Sequence, residues 1–160
     1  MKKVSDYQGL IENDTDVIRR VLLEWKPTRF DMDEKGQERE QFAWLKQRLP
    51  GVAMKSQYGI AWGAADIVIE DTHVIELKLG FAPQGVGEFD RCVGQLWRYK
   101  EKWIEPKDNG RVWLITVGES EAEFQHLLKK PLENLTIISC FHHSSGSKNY
   151  PRRNSPHHAL

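Results

Sequence analysis

Cysteine is scarce in this chain of 160 residues, and the two present, Cys92 and Cys140, lie far apart. They form neither a metal-ligand spacing nor a disulfide framework. Long apolar runs are missing as well. No stretch reaches the roughly 20 residues that a membrane helix needs, and no signal-peptide pattern opens the sequence. Charged residues make up 29% of the chain and mean hydropathy is -0.60, so a soluble, cytoplasmic protein is expected. Neither sign of charge is in excess, with 23 Lys+Arg against 23 Asp+Glu. That balance argues against strong non-specific duplex affinity by charge alone. No histidine precedes His73, and His142-His143 and His157-His158 fall in a late polar tail, which is no zinc site. No internal repeat is visible, and the length fits one domain with one core.

What the sequence does contain is an alternation of helical and strand patterns. A helical rhythm runs from about Tyr7 to Glu24 and ends at Pro27, and a second helix spans Glu34 to Leu49 before Pro50-Gly51. A strand is expected over 52–58 with a loop over 59–63, then two β-branched runs, 67–69 and 74–79, joined by a short polar turn. A third helix is expected over 88–103, a strand over 111–117, a fourth helix opened by the capping box Ser120-Glu121-Ala122-Glu123, and a last strand over 135–140. The order ααβββαβαβ predicts an α/β domain over 1–141, a mixed sheet flanked by helices. Ser, Asn, Pro, Arg and His dominate 142–160, which reads as a disordered tail.

The hairpin holds the chemistry. Along its second strand Val74, Glu76 and Lys78 share one face, while Ile75, Leu77 and Leu79 share the other. The first strand starts where the second ends, so Asp66 is expected beside Glu76 and Lys78. Carboxylates and lysines are rarely buried unless paired or bound to metal. Two readings fit these three residues: a site for a hard divalent cation with an activated water, and a cross-strand ion pair at a sheet edge. Glu38 shares a helix face with Phe42, Leu45 and Leu49, at spacings of about one turn. It fits either a site residue or a favourable charge near the helix start. Glu40 lies about 200° further round and is expected to face water.

Asp66, Glu76 and Lys78 across a hairpin resemble the PD-(D/E)XK nuclease signature, with Ala65 in place of the proline. In more detail, Gly63…Asp66, then Ile75-Glu76-Leu77-Lys78, then Gln95-Leu96-Trp97-Arg98-Tyr99 is similar to the RecB-type pattern of that superfamily. The likeness covers roughly residues 35 to 117. It implies a restriction-endonuclease-like fold and a magnesium-dependent DNA nuclease in which manganese substitutes. By that resemblance Asp66, Glu76 and the backbone carbonyl of Leu77 are metal ligands, joined by Glu38. Lys78 would orient or deprotonate the water or stabilise the phosphate oxygens. Gln95 and Tyr99, one turn apart, would hydrogen-bond Lys78, the metal waters or the scissile phosphate; ordinary helix packing fits them too. Some relatives carry an iron–sulfur cluster on four cysteines, which this chain does not have.

The surroundings add a partner. Residues 1–90 carry 12 Lys+Arg against 16 Asp+Glu, whereas 91–160 carry 11 against 7. Arg91, Arg98 and Lys102 share a helix face with Gln95 and form a candidate phosphate-backbone contact. Trp97 and Trp103 are expected in the core rather than stacked on bases. These residues show no target-recognition segment, so specificity is expected from loops, a homodimer, or a helicase or targeting partner. Two other functions remain in view: a catalytically silent nucleic-acid-binding domain of the same fold, and a metal-binding scaffold.

Overall fold

The two β-branched runs form the centre of the sheet. In the computed structural model, which describes residues 2–4, 14–60, 63–79, 86–101, 110–118 and 134–140, they are β2 (Gly63–Ile69) and β3 (His73–Leu79). They pair antiparallel with Ile67 opposite Ile75 and Ile69 opposite His73. The Thr72 N–H donates to the Ile69 carbonyl at 3.1 Å, closing a turn whose central residues, Glu70 and Asp71, have φ of 49° and 61°. Two left-handed residues at that position match the right-handed twist of a hairpin.

β1 (Met54–Ile60) adds antiparallel on one side of β2, and β4 (Arg111–Val117) and β5 (Leu135–Cys140) add parallel beyond β3, giving a mixed five-stranded sheet ordered β1-β2-β3-β4-β5. β3 and β4 run parallel, so the chain must cross over between them, and α3 (Val86–Tyr99) lies in that crossover. Before the sheet come α1 (Asp14–Glu24) and α2 (Glu34–Arg48). α2 is started by Asp33, whose carboxylate accepts the Gly36 N–H at 2.8 Å.

Helices cover both faces. Val17, Ile18, Val21 and Leu22 of α1 and Leu45 of α2 pack with Ile67, Ile69, Ile75, Leu77, Trp113 and Ile115 on one face. Cys92, Leu96 and Tyr99 of α3 pack with Val68, Val74, Val112, Leu114 and Ile137 on the other. Residues 73–77 are consequently buried without a break, as expected of a strand with no solvent face. Among the described residues no helix is long and apolar enough to cross a membrane.

Several boundaries differ from those predicted. The first strand is 54–60 rather than 52–58, and much of the predicted loop is ladder: Gly59 pairs with Ala64 and Ile60 with Gly63. Glycines that read as turn signals are here paired strand residues. Helix α3 begins at Val86 rather than at 88, and its expected end at 103 lies outside the described residues. The predicted fourth helix, the start of the first helix and the 142–160 tail lie outside the described residues.

Candidate active site

The regular pairing of β2 with β3 stops at Ile67 and Ile75. One residue further, the ladder is replaced by a side chain: the Leu77 N–H donates to Asp66 Oδ2 at 2.8 Å. The pleat also changes sense there. Ile67 and Ile69 face α1 and α2, yet Ala65 and Val68 both face α3. β1 is disturbed at the same level. Ser56 pairs with Ile67 and Tyr58 with Ala65, while Gln57, opposite Asp66, is left out of the ladder with φ of 48°.

Into this break come side chains from three layers. Glu76 is 1% exposed; one oxygen lies 2.8 Å from Lys78 Nζ and the other accepts from the Tyr99 hydroxyl at 3.1 Å. That hydroxyl lies equally close to the Ala64 carbonyl and itself accepts from Gln95 Nε2 at 2.6 Å. Lys78 Nζ also reaches Glu34 of α2 at 3.1 Å, and the other Glu34 oxygen accepts the Leu79 N–H at 3.4 Å. Gln57 Nε2 donates to Glu38 at 2.8 Å and lies 3.4 Å from Asp66 Oδ1. Four carboxylates thus surround one ammonium and one amide.

Electrostatics follow from that count. Burial first, and the Glu76 carboxylate second, push the Asp66 carboxyl from 3.8 up to about 7, against the lowering effects of the Leu77 N–H and Lys78. Burial also raises Glu76, although Lys78 and Tyr99 pull it down. For Lys78 burial acts downward, but Glu76, Glu34 and Asp66 outweigh it and the ammonium is held protonated. Burial, then Glu76, raises the Tyr99 hydroxyl, so it serves as a neutral donor. Cys92 is buried on the sheet-facing side of α3 and its thiol is pushed up to about 12, chiefly by burial. It is not a nucleophile there.

The inner face of α2 forms the wall of this site. Gln37, Glu38 and Gln41 are buried with Leu45, so the helix turns a polar stripe toward the sheet. The side-chain amide atoms of Gln41 have no hydrogen-bond partner among the described residues. Glu40, as expected, does not join the site; it accepts from the Thr28 N–H and hydroxyl at 2.7 and 2.6 Å.

Of the residues singled out in the sequence, Asp66, Glu76, Lys78, Gln95, Tyr99, Glu38 and the Leu77 backbone come together. Arg91 and Arg98 do not join them: both are exposed, and the Arg98 Nε–H donates back to the Gly94 carbonyl at 3.2 Å. The expected stripe on α3 is split, because Tyr99 is 1% exposed while the arginines point outward. Lys102 and Trp103 lie outside the described residues. Trp97, expected in the core, is 40% exposed with Lys100 Nζ 5.0 Å from its ring centre.

Glu34 and Gln57 were missed. Glu34 lies one turn before Glu38 on the same helix face, so its signal was there to read. Gln57 gave none, since a single polar residue in a strand looks like any solvent-facing position.

Two cavities lie away from this cluster. One, of about 610 Å³, is lined by Lys2, Lys3, Lys55, Glu70, Asp71 and His73 among others; the second, of about 330 Å³, opens beside Arg19, Arg111 and Thr136. Neither touches a carboxylate of the site. His73 is structural: its Nδ1 accepts the Trp113 indole N–H at 3.1 Å. Among the described residues no three His, Cys, Asp or Glu side chains are drawn into a ready-made metal cage; the Gln57 amide and the Lys78 ammonium stand between the carboxylates instead. Comparison of the chain with family models, with curated proteins and with solved structures finds no significant match.

Proposed function

We propose that the chain is a metal-dependent deoxyribonuclease of the PD-(D/E)XK type, on a restriction-endonuclease-like version of the mixed sheet, that hydrolyses DNA phosphodiesters. The observation that carries this reading is the break in the hairpin, where Asp66 leaves the ladder beside buried Glu76 and Lys78. Ion pairing alone does not require that break. A lysine and one carboxylate already satisfy each other, whereas Asp66 is a further buried carboxyl whose desolvation the Leu77 N–H and Lys78 only partly offset, and Glu38 brings another buried acid beside it.

The donor set fits a hard divalent cation, since all its members are oxygen donors and carry excess negative charge. Asp66, Glu76, Glu38 and the Leu77 carbonyl would hold magnesium, with manganese substituting. When bound, the ion supplies an acidified water and neutralises charge growing on the phosphate. The remaining work falls to the chain. Lys78, held protonated by Glu76 and Glu34, is a donor to anionic phosphate oxygens rather than a base. Tyr99, itself held by Gln95, fixes the rotamer of Glu76 through its hydroxyl. Arg91, Arg98 and Lys102 attract the DNA backbone, and a second copy or a targeting partner adds specificity.

The test is cleavage of labelled single-stranded, double-stranded and branched DNA with and without magnesium. Cleavage that needs the ion supports the reading. Binding without cleavage would assign a silent DNA-binding domain, and neither would reduce the cluster to a structural ion-pair network.

A further inference from the structure

The residue facing Asp66 across β1 and β2 is the only non-glycine residue described in those two strands with a left-handed backbone: Gln57, φ 48°. A side chain in that region is disfavoured by contact of Cβ with the backbone, and such outliers persist where the surroundings enforce them. Here the enforcing contacts are visible. Gln57 Nε2 donates to Glu38 Oε2 at 2.8 Å from one layer and approaches Asp66 Oδ1 at 3.4 Å from another. Carboxylates are acceptors, so only the NH2 end of the amide can meet them both. The residue as a whole is exposed, which leaves the amide a path to swing out into solvent.

We propose that Gln57 is a built-in stand-in for the cation: its amide holds Glu38 and Asp66 together in the cation-free protein and yields its place to a divalent ion. The proposal rests on the metal-site reading above and deepens it by making cation affinity a competition. An amide N–H2 brings partial positive charge to the point between two carboxylates, where a divalent cation would bring two full charges and bind the same oxygens. The strained strand position puts the amide at that point, since a regular residue opposite Asp66 would instead complete the ladder between Ser56 and Tyr58. Gln57 is therefore a positioning residue that sets how tightly the site takes its ion.

Manganese binding by titration calorimetry, with magnesium competition, tests this on the full chain without any activity assay. Gln57→Ala and Gln57→Gly both remove the amide; alanine keeps the backbone strain and glycine relieves it. Both should bind manganese about fivefold more tightly than the wild type, the worth of one net hydrogen bond. Ser56→Ala, at an exposed neighbouring position, should bind as the wild type does. Unchanged or weaker binding in both Gln57 variants would overturn the proposal, as would a rise confined to glycine, which traces to the backbone and not the amide. A wild type that binds no divalent ion would overturn the metal site itself, so the two failures are distinguishable.

Discussion

Replacing Asp66 by asparagine should make the metal-free protein more stable while abolishing cleavage. The Asp66 carboxyl titrates at about 7 in the fold against 3.8 unperturbed. A raised folded-state value means the folded protein holds its proton over a range where the unfolded chain has lost it. Stability from this group is therefore complete below about pH 4 and falls as pH rises to about 7. At about 1.36 kcal/mol per pH unit, the ionised carboxylate costs the fold about 4 kcal/mol at pH 8, an upper figure because Glu76 shares the titration. Asparagine carries no charge to desolvate, and its carbonyl can still accept the Leu77 N–H that Asp66 accepts at 2.8 Å. Urea unfolding in chelator should show Asp66→Asn more stable than wild type by at least about 1 kcal/mol at pH 8, and the two close together near pH 4. Added magnesium should stabilise the wild type and leave the variant unmoved. A variant equal to or weaker than wild type at the higher pH would refute the reasoning, because it would mean the site already compensates Asp66.

Three further outcomes are expected. Burial, then Arg111, lowers His73 from 6.5 to about 4, so its contribution to stability is full above 6.5 and lost as pH falls to about 4; in His73→Phe that slope, about 3 kcal/mol across the window, should vanish from acid titrations of stability. Glu38→Gln should weaken manganese or magnesium binding in calorimetry without unfolding the domain, while Glu40→Gln, bonded to Thr28 instead, should leave it unchanged. Arg98→Ala should weaken DNA binding about equally across sequences and lower the salt slope by roughly one in titrations at varied salt.

The hairpin was legible because apolar β-branched runs and a polar turn leave a local signature, and because the period of two then places Glu76 and Lys78 on one face. Strands 111–117 and 135–140 were legible for the same reason. Glu38 could be read from its spacing to Leu45 and Leu49, both buried in the structure. Gln37 and Gln41 could not, since polar residues give no periodic hint of burial although both are 0% exposed. The split of α3 was hidden too: Gln95, Tyr99, Arg91 and Arg98 share a stripe by spacing, yet the long arginine side chains reach outward while the Tyr99 ring turns beneath them onto Glu76. Trp97 was misplaced because aromatic residues are core residues by default, and this one sits on the outer side of α3 under Lys100. The role proposed for Gln57 depends on one backbone angle, to which the sequence pattern gives no clue.

The most direct measurement is cleavage of labelled DNA in magnesium by the wild type, Glu76→Gln and Lys78→Ala, each checked for folding by circular dichroism. The wild type should cut, stop in chelator and recover with manganese, and both variants should be folded and inactive. A wild type inert on single-stranded, double-stranded and branched DNA with either ion, or a folded variant that cuts as the wild type does, would contradict the assignment of Asp66, Glu76 and Lys78 as a nuclease centre.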